Sequence, residues 1–399
     1  MFKIPKPFVV IMGCTGTGKS DMAIEIARKF DGEVISADSQ QIYKGLDIVT
    51  NKVTTEETKG VKHHLMSYVD PANEKYNVHD FKSKCIEIME DLWKQNKLPI
   101  ICGGTSYYIE SIIFDRNLIA TDERDVTLLR KDLKRKSNDE LYDILVEIDK
   151  DSANLVHRNN RARVQRAIEI AKVTGTSKSE HLREQNDSEV KLRWENVLFI
   201  NMDAEEKVLD ERLDKRIDKM VNRGLKEELK LFYQLHSHVL KDHGVMQCIG
   251  IKEFIPWLKD ETEDNFRDGV NKLQIHTKQY ARKQRKWLKQ RLMNKYIENI
   301  FLMDTSDVLK FYQSNVPIGL DITHHFLEGS PLSDLEVDEK YCNHWKRCNV
   351  IEQSNKKDLN TVYKCTDCSI EIHGGNNWEA HLNGKKHKML IRRMKKLKE

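Results

Sequence analysis

Two kinds of hydrophobic patterning divide this chain. In its first third, short unbroken apolar runs alternate with segments of helical period. Residues 8–12 read as a buried strand and residues 21–30 as a helix carrying Ala23, Ile24, Ala27 and Phe30 on one side, the stripe expected of a helix that covers a sheet. Residues 34–38 predict a second strand, and residues 98–102 another. Between them, residues 76–95 predict a helix with Phe81, Cys85, Met89 and Leu92 on its apolar face. Alternation of this kind builds a parallel α/β sheet. From about residue 122 the pattern becomes almost continuous helix rich in charge. Val164, Ala167, Ile168 and Ala171 mark the buried stripe of a helix over residues 159–174, which Gly175 ends. Residues 197–202 read as a return to the sheet, residues 271–296 as a long helix and residues 300–304 as a last strand. Residues 315–360 lack a sustained period and read as a connector.

The first strand runs into Gly13, Cys14, Thr15, Gly16, Thr17, Gly18, Lys19 and Ser20. These fit the phosphate-loop spacing G-x-x-x-x-G-K-[ST] at every fixed position, between a strand and a helix. The glycines let the backbone curl so that several N–H groups point at an anion. Lys19 adds a charge, Ser20 can reach a magnesium ion, and the helix start adds its positive dipole end. Such a loop reads phosphates and not the rest of the ligand. Asp38, Ser39, Gln40 and Gln41 follow the second strand, at the crevice where open α/β sheets bind ligands. Gly103, Gly104 and Thr105 form a second glycine turn at a strand end, so Thr105 is expected at the same crevice. His63 and His64, adjacent on an extended segment, face opposite ways and read as packing or hydrogen-bonding groups rather than a metal pair.

Charged residues make up 33% of 399 positions and the net charge is only +4, so the distribution of charge says more than its sum. Arg163 and Arg166 project beside the stripe of the 159–174 helix, with Arg158 and Arg161 upstream. Arg212 and Arg216 share a face of a later helix that also carries Arg223, and pairing with neighbouring Asp residues is a competing reading for them. Between Lys272 and Lys295 lie nine Lys or Arg and no acid, among a packing stripe of Leu273, Tyr280 and Trp287. One sign on one helix points to a polyanion. At the tail, Cys365-x2-Cys368-x12-His381-x5-His387 has zinc-finger spacing, with no coordination position left open for chemistry. Zinc there would supply about 10–16 kcal/mol of folding energy. Eight Lys or Arg between residues 385 and 398 add a second polyanion footprint. The remaining cysteines are scattered, which suits a reducing compartment. Cys342, His344 and Cys348 lack a regularly spaced fourth ligand. No apolar run approaches the roughly 20 residues of a membrane span, and a strand at residue 8 leaves no room for a targeting segment. The expectation is therefore a cytoplasmic chain with no membrane association, nuclear or mitochondrial pools remaining open and no protein partner evident.

DSQQIY at 38–43, GGTSYY at 103–108, RVQRAIEI at 163–170, RLDKRIDKM at 212–220, IGIKEF at 249–254 and TKQYARKQRKW at 277–287 follow the phosphate loop in one order. That ordered set resembles the tRNA dimethylallyltransferase (tRNA isopentenyltransferase) family over essentially residues 8–305. The terminal finger resembles the matrin-type finger of its eukaryotic members. The resemblance implies an α/β fold, with a P-loop parallel sheet flanked by helices, an inserted helical domain and a C-terminal Cys2His2 zinc finger. The core would span 1–120 and 190–314, the insertion 121–189, the linker 315–360, and the finger with its basic tail 361–399. It implies transfer of a dimethylallyl group from dimethylallyl diphosphate to the exocyclic amine of the adenosine just 3′ of a tRNA anticodon, with the insertion gripping the anticodon stem-loop. Asp38 matches the family's general base, and Thr15 and Arg216 the residues around the diphosphate. Ser39, Gln40 and Gln41 match the segment that holds the flipped adenine, Thr105 a contact beside the tRNA, and Arg163, Gln165 and Arg166 the insertion's basic motif. Lys278, Arg282 and Arg285 fall in the basic helix expected on tRNA. Magnesium at Ser20 and a structural zinc are the implied metals. Cys14, Ile251 and the order Arg282-Lys283 depart from the family's usual residues without touching a catalytic group. Competing readings are a P-loop kinase or NTPase with a nucleic-acid tail, a prenyltransferase of free adenine nucleotides, and a non-catalytic RNA-binding protein. For the first, Asp203 is a weak candidate as the strand-end magnesium ligand.

Overall fold

The computed structural model describes residues 2–72, 76–115, 118–119, 121, 123–187, 191–237, 244–292, 300–330, 345–347, 362–368, 370–373 and 375–396. Cys342, His344, Cys348, Lys398 and most of the expected connector lie outside the described residues. Described residues of 1–115 and 191–351 form one compact unit, and those of 116–190 and 352–399 a second.

The first unit opens with β1 (Phe8–Gly13), α1 (Lys19–Lys29), β2 (Gly32–Ser36), β3 (His63–His64), α2 (Val78–Lys94), β4 (Leu98–Gly103) and α3 (Ser106–Ile113). The chain then passes into the second unit through α4 (Glu123–Leu133), α5 (Asn138–Ile148), α6 (Lys150–Leu155), α7 (Arg161–Thr174) and α8 (Lys178–Asp187). It returns with β5 (Val197–Asp203), α9 (Glu206–Asn222), α10 (Leu225–His236), α11 (Ile255–Lys259), α12 (Glu263–Trp287), β6 (Ile300–Asp304), α13 (Val316–Glu328) and β7 (Trp345–Arg347). The sheet order is β3-β2-β4-β1-β5-β6-β7, parallel except where β7 pairs antiparallel with β6.

β1 lies mid-sheet and every residue of it is buried, as expected of a parallel strand covered on both faces. Its side chains alternate between two cores. Phe8, Val10 and Met12 join Phe81 and Met89 of α2 and Ile109 and Ile112 of α3. Val9 and Ile11 join Met22 and Ile26 of α1 on the other side. A third core, with Ile42, Val49, Ile217, Phe254, Trp257 and Leu273, gathers α9 to α12 around the loop that follows β2. Gly13 adopts φ 145°, and a Cβ there would lie 2.1 Å from the Met202 carbonyl oxygen of β5. The close approach of β5 therefore requires glycine at the start of the phosphate loop.

Two elements differ from the sequence reading. The long basic helix begins at Glu263, where Thr262 caps the Asn265 N–H and two acids occupy the first turn, and it passes into a π turn over Leu288–Leu292. Residues 293–296 of the expected helix lie outside the described residues. The expected connector is helical from its start. Ile318, Ile322 and Phe326 recur every four residues on α13, and with Val316 and Leu327 they are buried in the core beside α1. That spacing is a helix signal which its short span concealed. His63 and His64 behave as expected. His63 Nδ1 lies 3.0 Å from the Val61 carbonyl oxygen and His64 Nε2 lies 2.6 Å from Glu33. No helix among the described residues is long and apolar enough to cross a membrane.

In the second unit, Leu133, Leu141, Leu145, Val164, Ala167 and Ile168 form the core that α4, α5 and α7 share. The finger consists of the antiparallel hairpin β8 (Val362–Cys365) and β9 (Ile370–His373), then α14 (Gly375–Asn383) and α15 (Lys385–Lys396).

If α13 belongs to the core, Ile322→Ala will cost about 2–5 kcal/mol of stability, as deletion of buried methyls does. Urea unfolding of the full chain measures it. A change within about 0.5 kcal/mol, as for a surface position, would return residues 316–328 to linker.

Candidate active site

The phosphate loop joins β1 to α1, with Gly18 at φ 86° as the helix N-cap. The Thr17 hydroxyl donates to the Cys14 carbonyl at 2.9 Å, and Lys19 Nζ donates to the same oxygen at 2.6 Å. Burial lowers the Lys19 pKa, against the opposing charge of Asp38. Cys14 is buried and its thiol donates to the Ala281 carbonyl of α12. Ser20 is exposed and lines the loop's cavity.

Arg216, from α9, donates through Nη1 to the Thr15 hydroxyl at 2.8 Å. Its surroundings desolvate it, pulling its pKa down to about 10, while the Asp38 charge acts in the opposite sense. Nε of Arg216 has no hydrogen-bond partner, and the guanidinium makes no ion pair among the described residues. Asp38 Oδ1 accepts the backbone N–H groups of Gln40 and Gln41, at 2.9 and 3.3 Å, which fixes the carboxylate over its own turn. Next to it the Ser39 N–H donates to the Thr105 hydroxyl at 3.0 Å. Asp38, Ser39 and Thr105 are thus brought together from the ends of β2 and β4.

Two cavities open from this cluster. One, of about 490 Å³, holds the phosphate loop from Thr15 to Ser20 with Arg212, Arg216, Lys219, Phe311 and Tyr312. The other, of about 460 Å³, is lined by Ser39 and Gln40, by Val49, Met220 and Leu273, and by Lys283 at an exposed position. Thr15, Asp38, Arg216 and Tyr280 belong to the walls of both. The arrangement can therefore hold a phosphate ester in one chamber and a second reactant in the other, with a carboxylate between them.

Several expected nucleic-acid contacts are engaged inside the protein. The Gln41 amide accepts from Ser36 and donates to the Thr50 and Asn51 carbonyls, whereas Gln40 Oε1 is buried without a partner. Lys278 pairs with Asp214 at 2.6 Å, Arg282 with Glu206 and Asp210, and Arg285 with Asp203 at 2.7 Å. By sequence alone this stretch of α12 looks uncompensated, because it contains no acid. The compensating acids come from α9 and the end of β5, so sign mixing occurs across helices. Lys283, Lys286 and Lys289 remain without an ion pair among the described residues. Arg285 also removes Asp203 as a ready metal ligand. In the second unit Arg163 is exposed, while Arg166 and Gln165 reach the buried Glu169, which Arg130 also holds. Arg223 is exposed and lines neither cavity.

Five side chains at these cavities are not assigned to the site by the sequence. Tyr280, read as packing, stands in the shared wall, where burial and the Asp38 charge raise its pKa. Arg212 and Lys219 line the phosphate chamber, and their spacing from Arg216 on α9 was a visible signal. Phe311 and Tyr312 close that chamber from a segment with no recognisable period.

In the finger, one donor atom each from Cys365, Cys368, His381 and His387 lies within 4.8 Å of the others. His381 Nε2 is buried with no hydrogen-bond partner, as a nitrogen reserved for a metal would be. Two sulfurs and two imidazoles fit tetrahedral zinc.

The family model described as IPP transferase matches residues 41–291, and one described as zinc-finger double-stranded RNA-binding matches residues 362–388. This chain belongs to the IPP transferase family. It is 34% identical to the tRNA dimethylallyltransferase of Mus musculus, over 98% of this chain and 87% of that one. The tRNA dimethylallyltransferase of Saccharomyces cerevisiae is 33% identical over 97% of this chain and 92% of that one. A solved structure of a eukaryotic dimethylallyltransferase acting on tRNA superposes with a TM-score of 0.81 at 31% identity, covering 98% of each chain. The full-length tRNA isopentenylpyrophosphate transferase of Bacillus halodurans superposes with a TM-score of 0.57 at 30% identity, over 83% of this chain and 99% of that one.

This IPP transferase should bind one zinc per chain in its finger. Chelation will abolish amide protection in β8, β9 and α14, because metal binding supplies the folding energy of so small a unit. Hydrogen exchange read by mass spectrometry, with metal analysis alongside, checks this. Full protection after complete zinc removal would contradict it.

Proposed function

We infer that this chain is a tRNA dimethylallyltransferase, moving a dimethylallyl group from dimethylallyl diphosphate to the exocyclic amine of an adenosine in tRNA, the one just 3′ of the anticodon. The observation that carries this reading is the wall shared by the two cavities, where the Thr15–Arg216 pair of the phosphate side meets Asp38. The diphosphate lies in the loop, held by backbone N–H groups, Lys19, Thr15 and Arg216. As the allylic carbon–oxygen bond breaks, its electron pair passes to the leaving diphosphate. Donors already in place then stabilise that charge more in the transition state than before. The amine nitrogen forms the new bond to carbon, and Asp38 accepts the proton it loses. General-base help of this kind contributes typically about 10²–10⁴-fold.

The adenine leaves its stack to enter the second chamber, at a cost of a few kcal/mol. Ser39 and the unpartnered Gln40 amide oxygen offer it polar contacts. Arg163 and the finger supply backbone contacts elsewhere on the tRNA, which offset that cost. With Asp203 committed to Arg285, a magnesium ion would be held by Ser20, diphosphate oxygens and water, a mixed set that suits this ion. It would neutralise charge on the leaving group. The buried, free thiols of Cys14, Cys85, Cys102 and Cys248 suit a cytoplasmic setting. The engagement of Asp203 also disfavours the NTPase reading.

Asp38→Asn will lower transfer by about 10²–10⁴-fold while leaving tRNA affinity within a few-fold. Single-turnover transfer of labelled donor, with filter binding of tRNA in parallel, measures both. Wild-type transfer by this variant would remove Asp38 as the base.

A further inference from the structure

The phosphate side and the acceptor side of the site are joined by one side chain that the chemistry above does not use. Gln284 of α12 is buried. Its Oε1 accepts the Thr15 N–H at 2.9 Å, and its Nε2 donates to the Gly104 carbonyl at 2.9 Å. These backbone groups follow β1 and β4, neighbouring parallel strands in register through Met12 and Gly103. The fit is closed, since a Cβ on Gly104 would lie 2.2 Å from Nε2. Tyr280, one turn earlier on α12, also reaches Thr105 and Gln284.

Beyond each end of this brace stands a reacting group's neighbour. On one side Thr15 receives Arg216. On the other, Gly104 leads directly to Thr105, which holds the Ser39 N–H beside Asp38. We propose that Gln284 is a positioning residue whose amide sets the separation between the Thr15–Arg216 pair and Asp38, and so between leaving group and base. The proposal rests on the prenyl-transfer reading. With its N–H taken by Gln284, Thr15 presents its hydroxyl to the anion.

The brace must accept at one end and donate at the other, and this requirement makes it testable by pH. Leucine does neither. An ionised glutamate accepts from Thr15 but turns a second oxygen on the Gly104 carbonyl. A protonated glutamate does both. Burial against a carbonyl disfavours the charged form, so the glutamate pKa rises and its neutral form gains as pH falls. Rates divided by the wild-type rate at each pH cancel the pH dependence that the variants share with the wild type.

At alkaline pH, Gln284→Glu and Gln284→Leu should each lower kcat by about 10–100-fold, the cost of a small misplacement of reacting groups, with the tRNA KM nearly unchanged. As pH is lowered, Gln284→Glu should recover several-fold relative to wild type and Gln284→Leu should not. A flat ratio for both variants, accompanied by a common fall in Tm, would overturn the proposal and leave Gln284 a packing residue. Calorimetric binding of inorganic diphosphate to the same proteins gives a readout independent of transfer. There too Gln284→Glu should be weakened at alkaline pH and recover on acidification relative to wild type. Absence of transfer by the wild-type chain would instead defeat the functional reading, and a flat diphosphate-binding ratio would still overturn the brace.

Discussion

Arg216 donates to the Thr15 hydroxyl at 2.8 Å and, like Lys19, has no ion pair among the described residues. Desolvated cations are costly unless matched, and the partly buried Lys278 and Arg285 of α12 are matched. Lys278, Arg282 and Arg285, on the neighbouring helix, each meet a carboxylate of α9 or β5. These cations of α12 are neutralised by acids from α9 and β5, whereas Arg216 and Lys19 at the phosphate loop have no such carboxylate partner among the described residues. What completes that electrostatic arrangement is an anion from outside, and a diphosphate matches the cavity that Thr15 to Ser20, Arg212 and Lys219 enclose. The lowered pKa values of Arg216 and Lys19 have the same origin, desolvation by burial that the Asp38 charge only partly opposes.

The same constraint orders the rest of the site. Donors that are fixed before the reaction favour a state in which charge has moved onto the leaving oxygen. This is useful only if the nucleophile and its base are held close by. The doubly wound sheet supplies that proximity, because β1, β2 and β4 end at one edge. There the phosphate loop, the Asp38 turn and the Thr105 turn meet. Gln284 links two of these turns through backbone atoms, whose position no side-chain substitution at Thr15 or Gly104 alone would reproduce.

What the sequence revealed was what it encodes in local spacing. The phosphate loop, the Asp38 turn and the Cys2His2 finger each depend on residues close in the chain, and each lies where its spacing placed it. Contacts across long separations were not legible. Gln284 meets Thr15 over a separation of 269 residues, and nothing in the run ARKQRKW distinguishes it from a surface glutamine. The neutralisation of α12 was hidden for the same reason, since a helix without acids looks uncompensated until its neighbour is known. α13 was missed through its brevity, three turns of i, i+4 spacing amid a stretch that otherwise lacks a period. Tyr280 shows a further limit. Its heptad relation to Leu273 and Trp287 signalled burial correctly but could not say that the burial is against a cavity.

The central claim is that donor phosphates and acceptor base meet at one wall formed by Thr15, Asp38 and Arg216. The most direct test supplies the full chain with magnesium, labelled dimethylallyl diphosphate and an anticodon stem-loop carrying adenosine 3′ of the anticodon, with ATP offered separately. The RNA is then digested and its nucleosides identified by mass spectrometry. The account predicts one dimethylallyl unit on the amine of that adenosine, equal release of diphosphate, and no dependence on ATP. Hydrolysis of ATP without any prenylated nucleoside, or label on another base, would contradict it.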